Sequence, residues 1–233
     1  MLQKKRKLSR KEIKEDKLVS FFYKSQSFIE ENKNRLLTYG LVLAAVVIGV
    51  YFYLNQKKED NEKAGIALAK VMKIYDSGSY LESIEGVHSD DNTKNVEGLK
   101  QIVEEYGSTE NGETAKIYLA NAYSYLGNYD EAIKYYKDYG GSLNYMKAAS
   151  LSGQAGYYAS NGEYEKAADL YKEAASLAPA NGENPDYLLN AGINYFNAGN
   201  KEQAKLVLTK LKDNYQTSAS SREADKYITL LNN

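Results

Sequence analysis

The sequence predicts an all-α protein: one apolar helix of membrane-spanning length, then a solenoid of stacked helical hairpins closed by a C-terminal capping helix. Three observations carry this. The stretch Leu36–Leu54, LLTYGLVLAAVVIGVYFYL, holds no charged side chain and is bracketed by Arg35 and Lys57. Four later segments share one spacing of glycines, aromatics and small residues. The rest is rich in Ala, Leu, Lys, Glu and Tyr with only two prolines, a helix-forming mixture.

The apolar stretch comes first. The 21 residues between Arg35 and Lys57 make a helix of roughly 31 Å at ~1.5 Å per residue, about one hydrocarbon thickness. Its eleven Leu, Ile, Val and Phe residues favour insertion by about 0.3–0.6 kcal/mol each. Tyr39, Tyr51 and Tyr53 lie near its ends, where amphipathic rings prefer to sit. Nothing else in the chain could wrap a helix that is apolar on every side. A cleaved signal peptide also fits poorly: the run exceeds the usual core of about 7–15 residues, and Tyr51-Phe52-Tyr53-Leu54 stands where a peptidase needs small residues. The expected layout is a basic tail over 1–35, an anchor over 36–56 and a repeat domain over 57–233.

Charge sets the expected orientation. Residues 1–35 carry eleven Lys or Arg against five Asp or Glu, a net +6, so the remainder sums to −7 out of the total −1. A basic tail suits the cytoplasmic face, where anionic lipid attracts it by about 1 kcal/mol per charge. The count within about 20 residues of the anchor is nearly even, with Lys17, Lys24, Lys33 and Arg35 facing Lys57, Lys58, Lys63, Lys70 and Lys73. Tail-in remains the favoured reading. Leu18, Phe21, Phe22, Ser25, Phe28 and Ile29 fall on one helical stripe. That stripe fits an interfacial helix on the inner leaflet, or equally the amphipathic start of one long anchor helix.

Past the anchor the chain repeats itself. DSGSYLES (76–83), LGNYDEAIKYY (126–136), SNGEYEKAADLY (160–171) and NAGNKEQAKLVL (197–208) align on Gly78, Gly127, Gly162 and Gly199. Two residues on stand Tyr80, Tyr129, Tyr164 and Lys201; five on stand Ser83, Ala132, Ala167 and Ala204. Four before lie Ile74, Tyr123, Tyr158 and Tyr195; seven before lie Val71, Ala120, Ala155 and Gly192. The glycine ends a first helix at positive φ, the small columns let two helices approach, and the aromatics fill the space between hairpins. The later glycines are 35 and 37 residues apart, close to the tetratricopeptide period of about 34. The array covers roughly 62–231, with three regular repeats from Glu113 onward.

The first unit is longer. Gly78 to Gly127 is 49 residues, so IEGVHSDDNTKN (84–95) reads as an inserted exposed loop before a second helix from about Asn95 to Tyr106. Asn128 with Glu131, Asn200 with Gln203, and Ser220-Ser221-Arg222-Glu223 have the spacing of capping boxes. Asn184 before Pro185 reads as a cap followed by proline at the first helical position.

Basic tail, single anchor and a degenerate array containing GLKQIVEEYGSTENGETAKIYLANAYSYLGNYDEAI (98–133) together resemble bacterial membrane-anchored tetratricopeptide-repeat proteins. The best-described relative of that family is the ancillary subunit of the Sec translocon. The resemblance implies an inner-membrane protein with a periplasmic repeat domain that contacts the translocon, periplasmic chaperones or emerging chains.

Catalysis is not expected. There is no cysteine and a lone His88, and no phosphate loop, GxSxG elbow, HExxH or dinucleotide fingerprint. Adjacent pairs such as Asp90-Asp91 and Glu104-Glu105 diverge by about 100° on a helix and cannot flank one bond. No cofactor or metal is expected, and an acidic domain argues against nucleic acid. The tyrosines of the repeat frame (Tyr123, Tyr129, Tyr136, Tyr158, Tyr164, Tyr171 and Tyr195) read as packing residues rather than a ligand box. Function is expected from shape: a concave surface lined by the first helix of each pair, holding a protein or peptide. Repeat counting puts Ile117, Asn121, Tyr125, Ser152, Gly156, Leu189, Ile193 and Phe196 on that lining. The alternative is a scaffold for another envelope complex, of division or secretion, with Gly40/Ala44 and Ala45/Gly49 spaced to pair anchors.

Overall fold

The chain's structure, a computed structural model, describes residues 10–88, 95–177 and 180–232, with side chains from Lys17. It forms two compact units, Met1–Gln56 and Lys57–Asn233. The elements in order are α1 (Arg10–Asp76), α2 (Tyr80–Glu85), β1 (Gly86–Val87), β2 (Val96–Glu97), α3 (Leu99–Tyr106), α4 (Glu110–Tyr125), α5 (Tyr129–Asp138), α6 (Asn144–Ser160), α7 (Tyr164–Leu177), α8 (Asn184–Asn197), α9 (Lys201–Asn214) and α10 (Ala219–Asn232).

The first unit is helical from Arg10 to its end at Gln56. The aromatic stripe and the apolar stretch lie on one unbroken helix there. Every residue from Leu36 to Leu54 is exposed. This segment is the one helix among the described residues that is long and apolar enough to cross a membrane, and none of its apolar window is buried.

The second unit is a stack of hairpins. Each frame glycine takes the left-handed conformation that a side chain resists, with φ of +82°, +77°, +78° and +78° at Gly78, Gly127, Gly162 and Gly199. In the three regular repeats the next amide reaches back to the aromatic column: Asn128 to the Tyr123 carbonyl at 2.8 Å, Glu163 to Tyr158 at 2.9 Å and Asn200 to Tyr195 at 2.9 Å. That six-to-one bond satisfies a helix-end carbonyl and fixes the turn. Ala132, Ala167 and Ala204 are buried, as are Ala120 and Ala155. At Gly192 an added Cβ would stand 2.4 Å from the Leu208 side chain, so α8 approaches α9 too closely for anything larger.

The core runs along the stack as four linked clusters. The first joins Ala64, Leu68 and Val71 of α1 to Ile84, Leu99, Ile102, Ala115 and Leu119. Ile117, Ala120, Ala132, Tyr136 and Met146 form the next. Ala148, Ala174 and Tyr187 follow, and Leu188, Tyr195, Val207, Leu208, Leu211 and Ala224 close the far end beneath α10.

Several local expectations need correcting. The insertion is not purely loop: Gly86 pairs with Glu97 and Val87 with Val96 in a short antiparallel ladder. The ladder draws the ends of the insertion together, and a Cβ at Gly98 would lie 2.3 Å from the Ile84 carbonyl oxygen. The following helix therefore starts at Leu99, not Asn95. His88 is exposed; Asp90-Asp91 lie outside the described residues, as do residues 1–9 of the tail. Asn128 sits at the N-cap but makes no side-chain cap bond, whereas Asn200 accepts from the Gln203 amide at 3.2 Å as expected. Asn184 is a buried first-turn residue that donates to the Tyr215 hydroxyl at 3.4 Å, not a cap. The cap of α10 is Ser218, whose Oγ accepts from the Ser221 amide at 3.0 Å. Ser220 instead donates to Asp186 across the α8–α10 contact.

Candidate functional site: the inner face of the hairpin stack

The first helices α4, α6 and α8 carry the residues expected on the lining, and the structure separates them into three groups. Ile117 and Leu189 are core, 2% and 7% exposed. Ile117 packs among Ala132, Tyr136 and Met146, and Leu189 joins the cluster beneath α10. Phe196 and Ile193 are half-buried, and the Phe196 ring meets Tyr227 of α10 edge-on at 5.8 Å. Asn121, Tyr125, Ser152 and Gly156 remain accessible to different degrees.

Tyr125 is 65% exposed, and its ring lies flat on Tyr80 of the preceding hairpin, centroids 4.5 Å apart and planes 12° apart. Tyr80 meets Tyr75 edge-on at 5.3 Å, and Tyr75 meets Tyr118 at 5.4 Å. This run of four rings joins α1, α2 and α4. Burial pushes the Tyr75 hydroxyl well above the ordinary tyrosine range, with a hydrogen bond to Asn121 pulling weakly the other way.

Asn121 belongs to a small polar network. Its Oδ1 accepts from the Tyr136 hydroxyl at 2.6 Å, and Ser124 Oγ lies 3.4 Å from the same hydroxyl. Tyr136 is 4% exposed; its burial raises its pKa, partly offset by Ser124. One turn along α6, Ser150 Oγ donates to the Tyr136 carbonyl at 2.6 Å and accepts from Gln154 at 3.2 Å. The ring of Tyr136 fills the space over Gly153, where a Cβ would stand 2.2 Å from it.

Beside these residues lies a hollow of about 260 Å³ lined by Tyr129, Ile133, Tyr136, Gly153, Gly156 and Tyr157, among others. Of its walls only Gly156 is a lining residue by repeat counting. The glycines of α6, three residues apart in GQAG, are the signal in the sequence that points to it. Packing is also the expectation for Tyr129 and Tyr164, yet these are 51% and 37% exposed. They stand at the start of α5 and α7, where the turn lifts a side chain off the neighbouring hairpin.

The hairpin turn opposite is tied by a buried cation. Lys116, 7% exposed, pairs with Glu113 at 3.0 Å and Asp138 at 2.9 Å, and Glu113 also accepts from the Gly140 amide at 2.7 Å. Burial opposes the lysine's charge, but its bonds to Asp138 and Glu113 outweigh burial and raise its pKa.

Among the described residues no three His, Cys, Asp or Glu side chains cluster as a metal site would require. These residues offer rings, amides, hydroxyls and a small hollow.

Comparison with known proteins agrees with that geometry. Profiles described as tetratricopeptide repeat match residues 119–138 and 150–185, and a further one matches 186–218. Among solved structures, two of the nearly identical TPR-like repeats of a putative kinesin light chain from Podosopora anserina, one of them a single-residue variant of the other, each superpose with a TM-score of 0.55 at 14% identity. They cover 73% of this chain and 85% or 86% of their own. At that identity the likeness shows the fold alone. No curated protein matches the sequence. The chain carries tetratricopeptide repeats in an all-α hairpin solenoid, a protein-interaction scaffold, and the comparisons indicate no catalytic family.

Proposed function

We propose that this is a single-pass membrane protein of the bacterial envelope whose repeat domain docks polypeptides on its inner face. The observation that carries the reading is the wholly exposed apolar segment Leu36–Leu54 in a chain whose other unit is an interaction scaffold. An exposed apolar surface of that length is costly in water and favourable in lipid. The basic tail, residues 1–35 at net +6, faces the cytoplasm, and residues 57–233 stand outside it.

The partner is a protein near the Sec translocon: a translocon subunit, a periplasmic chaperone or an emerging chain. The resemblance in layout to the family of the ancillary translocon subunit supports this. Asn121, Tyr125, Ser152, Gly156 and Ile193 form the docking face, with Phe196 at its edge; neither catalysis nor a cofactor is involved.

Affinity purification of the full chain from gently solubilised membranes, read by mass spectrometry, tests the assignment. Translocon components or periplasmic chaperones among the specific partners support it; a cytosolic partner set contradicts it. Protease shaving of intact spheroplasts checks the orientation, since only an outward repeat domain is degraded. A second reading, a scaffold for another envelope complex, draws on the small-residue spacing of Gly40/Ala44 and Ala45/Gly49. Anchors could pack closely there. One stoichiometric division or secretion partner, without translocon proteins, favours that alternative.

A further inference from the structure

The hollow between α5 and α6 is floored by a pair of glycines that the neighbouring repeats do not carry. Shifting by the 37-residue spacing from Gly162 to Gly199, Gly156 corresponds to Ile193 and Gly153 to Asn190. Shifting back by the 35 residues from Gly162 to Gly127, they correspond to Asn121 and Tyr118. Larger side chains stand at both registers in both neighbours. Only α6 carries a glycine at each, and the recess there is floored by glycine and walled by Ile133, Tyr136 and Tyr157. At about 260 Å³ it falls below the roughly 300–1,000 Å³ of small-molecule sites. It is sized for one anchoring side chain of a longer polymer.

Its rim is acidic. Tyr157 donates its hydroxyl to Asp130 Oδ1 at 3.2 Å. Among the described residues Asp130 has no salt bridge within 4 Å; Lys134, which holds its neighbour Glu131 at 2.5 Å, also feels its charge, and Glu163 is held by Lys166 at 3.5 Å. The whole of residues 36–233 sums to −7. Tyr129, 51% exposed, forms an aromatic lip beside this carboxylate, a surface on which a cation is attracted by ring and acid together.

We infer that this hollow seats one branched-aliphatic or aromatic side chain of a bound polypeptide segment, carried beside a lysine or arginine that meets Asp130. The inference rests on the docking function proposed above and adds the chemistry of the partner: apolar and basic, not apolar and acidic.

The test uses the full chain in phosphatidylcholine nanodiscs, with empty discs as blank, and fluorescence anisotropy of three short labelled peptides in a Gly/Ser background. One carries Leu-Lys pairs, one Leu-Glu pairs and one Ser-Lys pairs. The Leu-Lys peptide is expected to bind, and the other two at least about tenfold more weakly. Gly156→Ile places in α6 the residue that α8 already carries, and its Cβ meets only the Tyr171 hydroxyl at 3.6 Å. It is expected to weaken the Leu-Lys peptide by at least about tenfold with the helical CD signal unchanged. Tyr129→Ser, which adds no volume, gives the same direction should the isoleucine perturb folding. Asp130→Asn is expected to weaken binding by a few fold and flatten its salt dependence.

Equal binding of the Leu-Glu peptide overturns the inference. So does Leu-Lys binding that both Gly156→Ile and Tyr129→Ser leave unchanged, an outcome that keeps a docking face but moves it off the hollow. Binding of no peptide by the wild type overturns the inference and weighs against the docking function as well. Self-association of the wild-type chain that Gly156→Ile abolishes, with no peptide bound, assigns the hollow to a second copy and likewise overturns it.

Discussion

The hydroxyl of Tyr136 donates to Asn121 Oδ1 at 2.6 Å, tying the second helix of one hairpin to the first. Tyr136→Phe removes that donor and leaves the rest of the ring's packing in place. A cost of about 0.5–1.5 kcal/mol is expected, the usual worth of one neutral hydrogen bond. Thermal unfolding of the full chain in detergent, followed by CD, reads it.

Two glycines one turn apart on α6 respond in opposite directions to alanine. At Gly153 the new methyl would stand 2.2 Å from the Tyr136 ring, so Gly153→Ala is expected to destabilise by about 1–3 kcal/mol through overpacking. At Gly156 the nearest atom is the Tyr171 hydroxyl at 3.6 Å, and alanine there is expected to stabilise by about 0.4–1 kcal/mol by restricting the unfolded chain. Side-by-side melting curves of the two variants decide it.

Lys116→Met is expected to cost about 2–4 kcal/mol, because it strands the mostly buried carboxylate of Glu113 while the volume stays filled. Replacing Glu113 by Gln in the same chain should recover part of the loss. A double-mutant cycle measured by unfolding checks the coupling.

Alkaline pH should unfold the stack cooperatively. Tyr75, Tyr136 and Tyr171 all have pKa values raised by burial. A raised folded-state pKa means the folded chain holds its protons longer, so this stability is complete below the ordinary tyrosine value of about 10 and is lost as pH climbs above it. Lys116, also raised, contributes with the same sign. Melting temperature should fall above about pH 10, with tyrosinate absorbance rising together with the loss of helix. A flat melting temperature through that range contradicts the assignment.

The periodic parts of this molecule were legible because backbone geometry enforces them. A left-handed residue at a helix end demands glycine, and Gly78, Gly127, Gly162 and Gly199 all adopt positive φ. Close helix approach demands Ala132, Ala167 and Ala204. What depended on a neighbouring hairpin was not legible. Whether Ile117 is covered depends on how near α6 brings Met146. Ser218 and Ser220 both sit at spacings that could cap α10, and Asp186, distant in sequence, claims Ser220. A two-residue ladder such as Gly86–Val87 with Val96–Glu97 is too short for alternation to register. The hollow at Gly156 required knowing which way Tyr136 and Tyr157 turn.

The most direct measurement is site-specific photo-crosslinking in living cells, with the probe at Tyr125 or Ser152 on the inner face and at Glu173 or Lys210 on the second helices. All but the half-buried Ser152 are exposed. The expected result is discrete protein adducts from the inner-face positions, found in the membrane fraction and absent from the outer positions. Equal labelling from both sets, or adducts only from Glu173 and Lys210, would contradict an inner-face docking function.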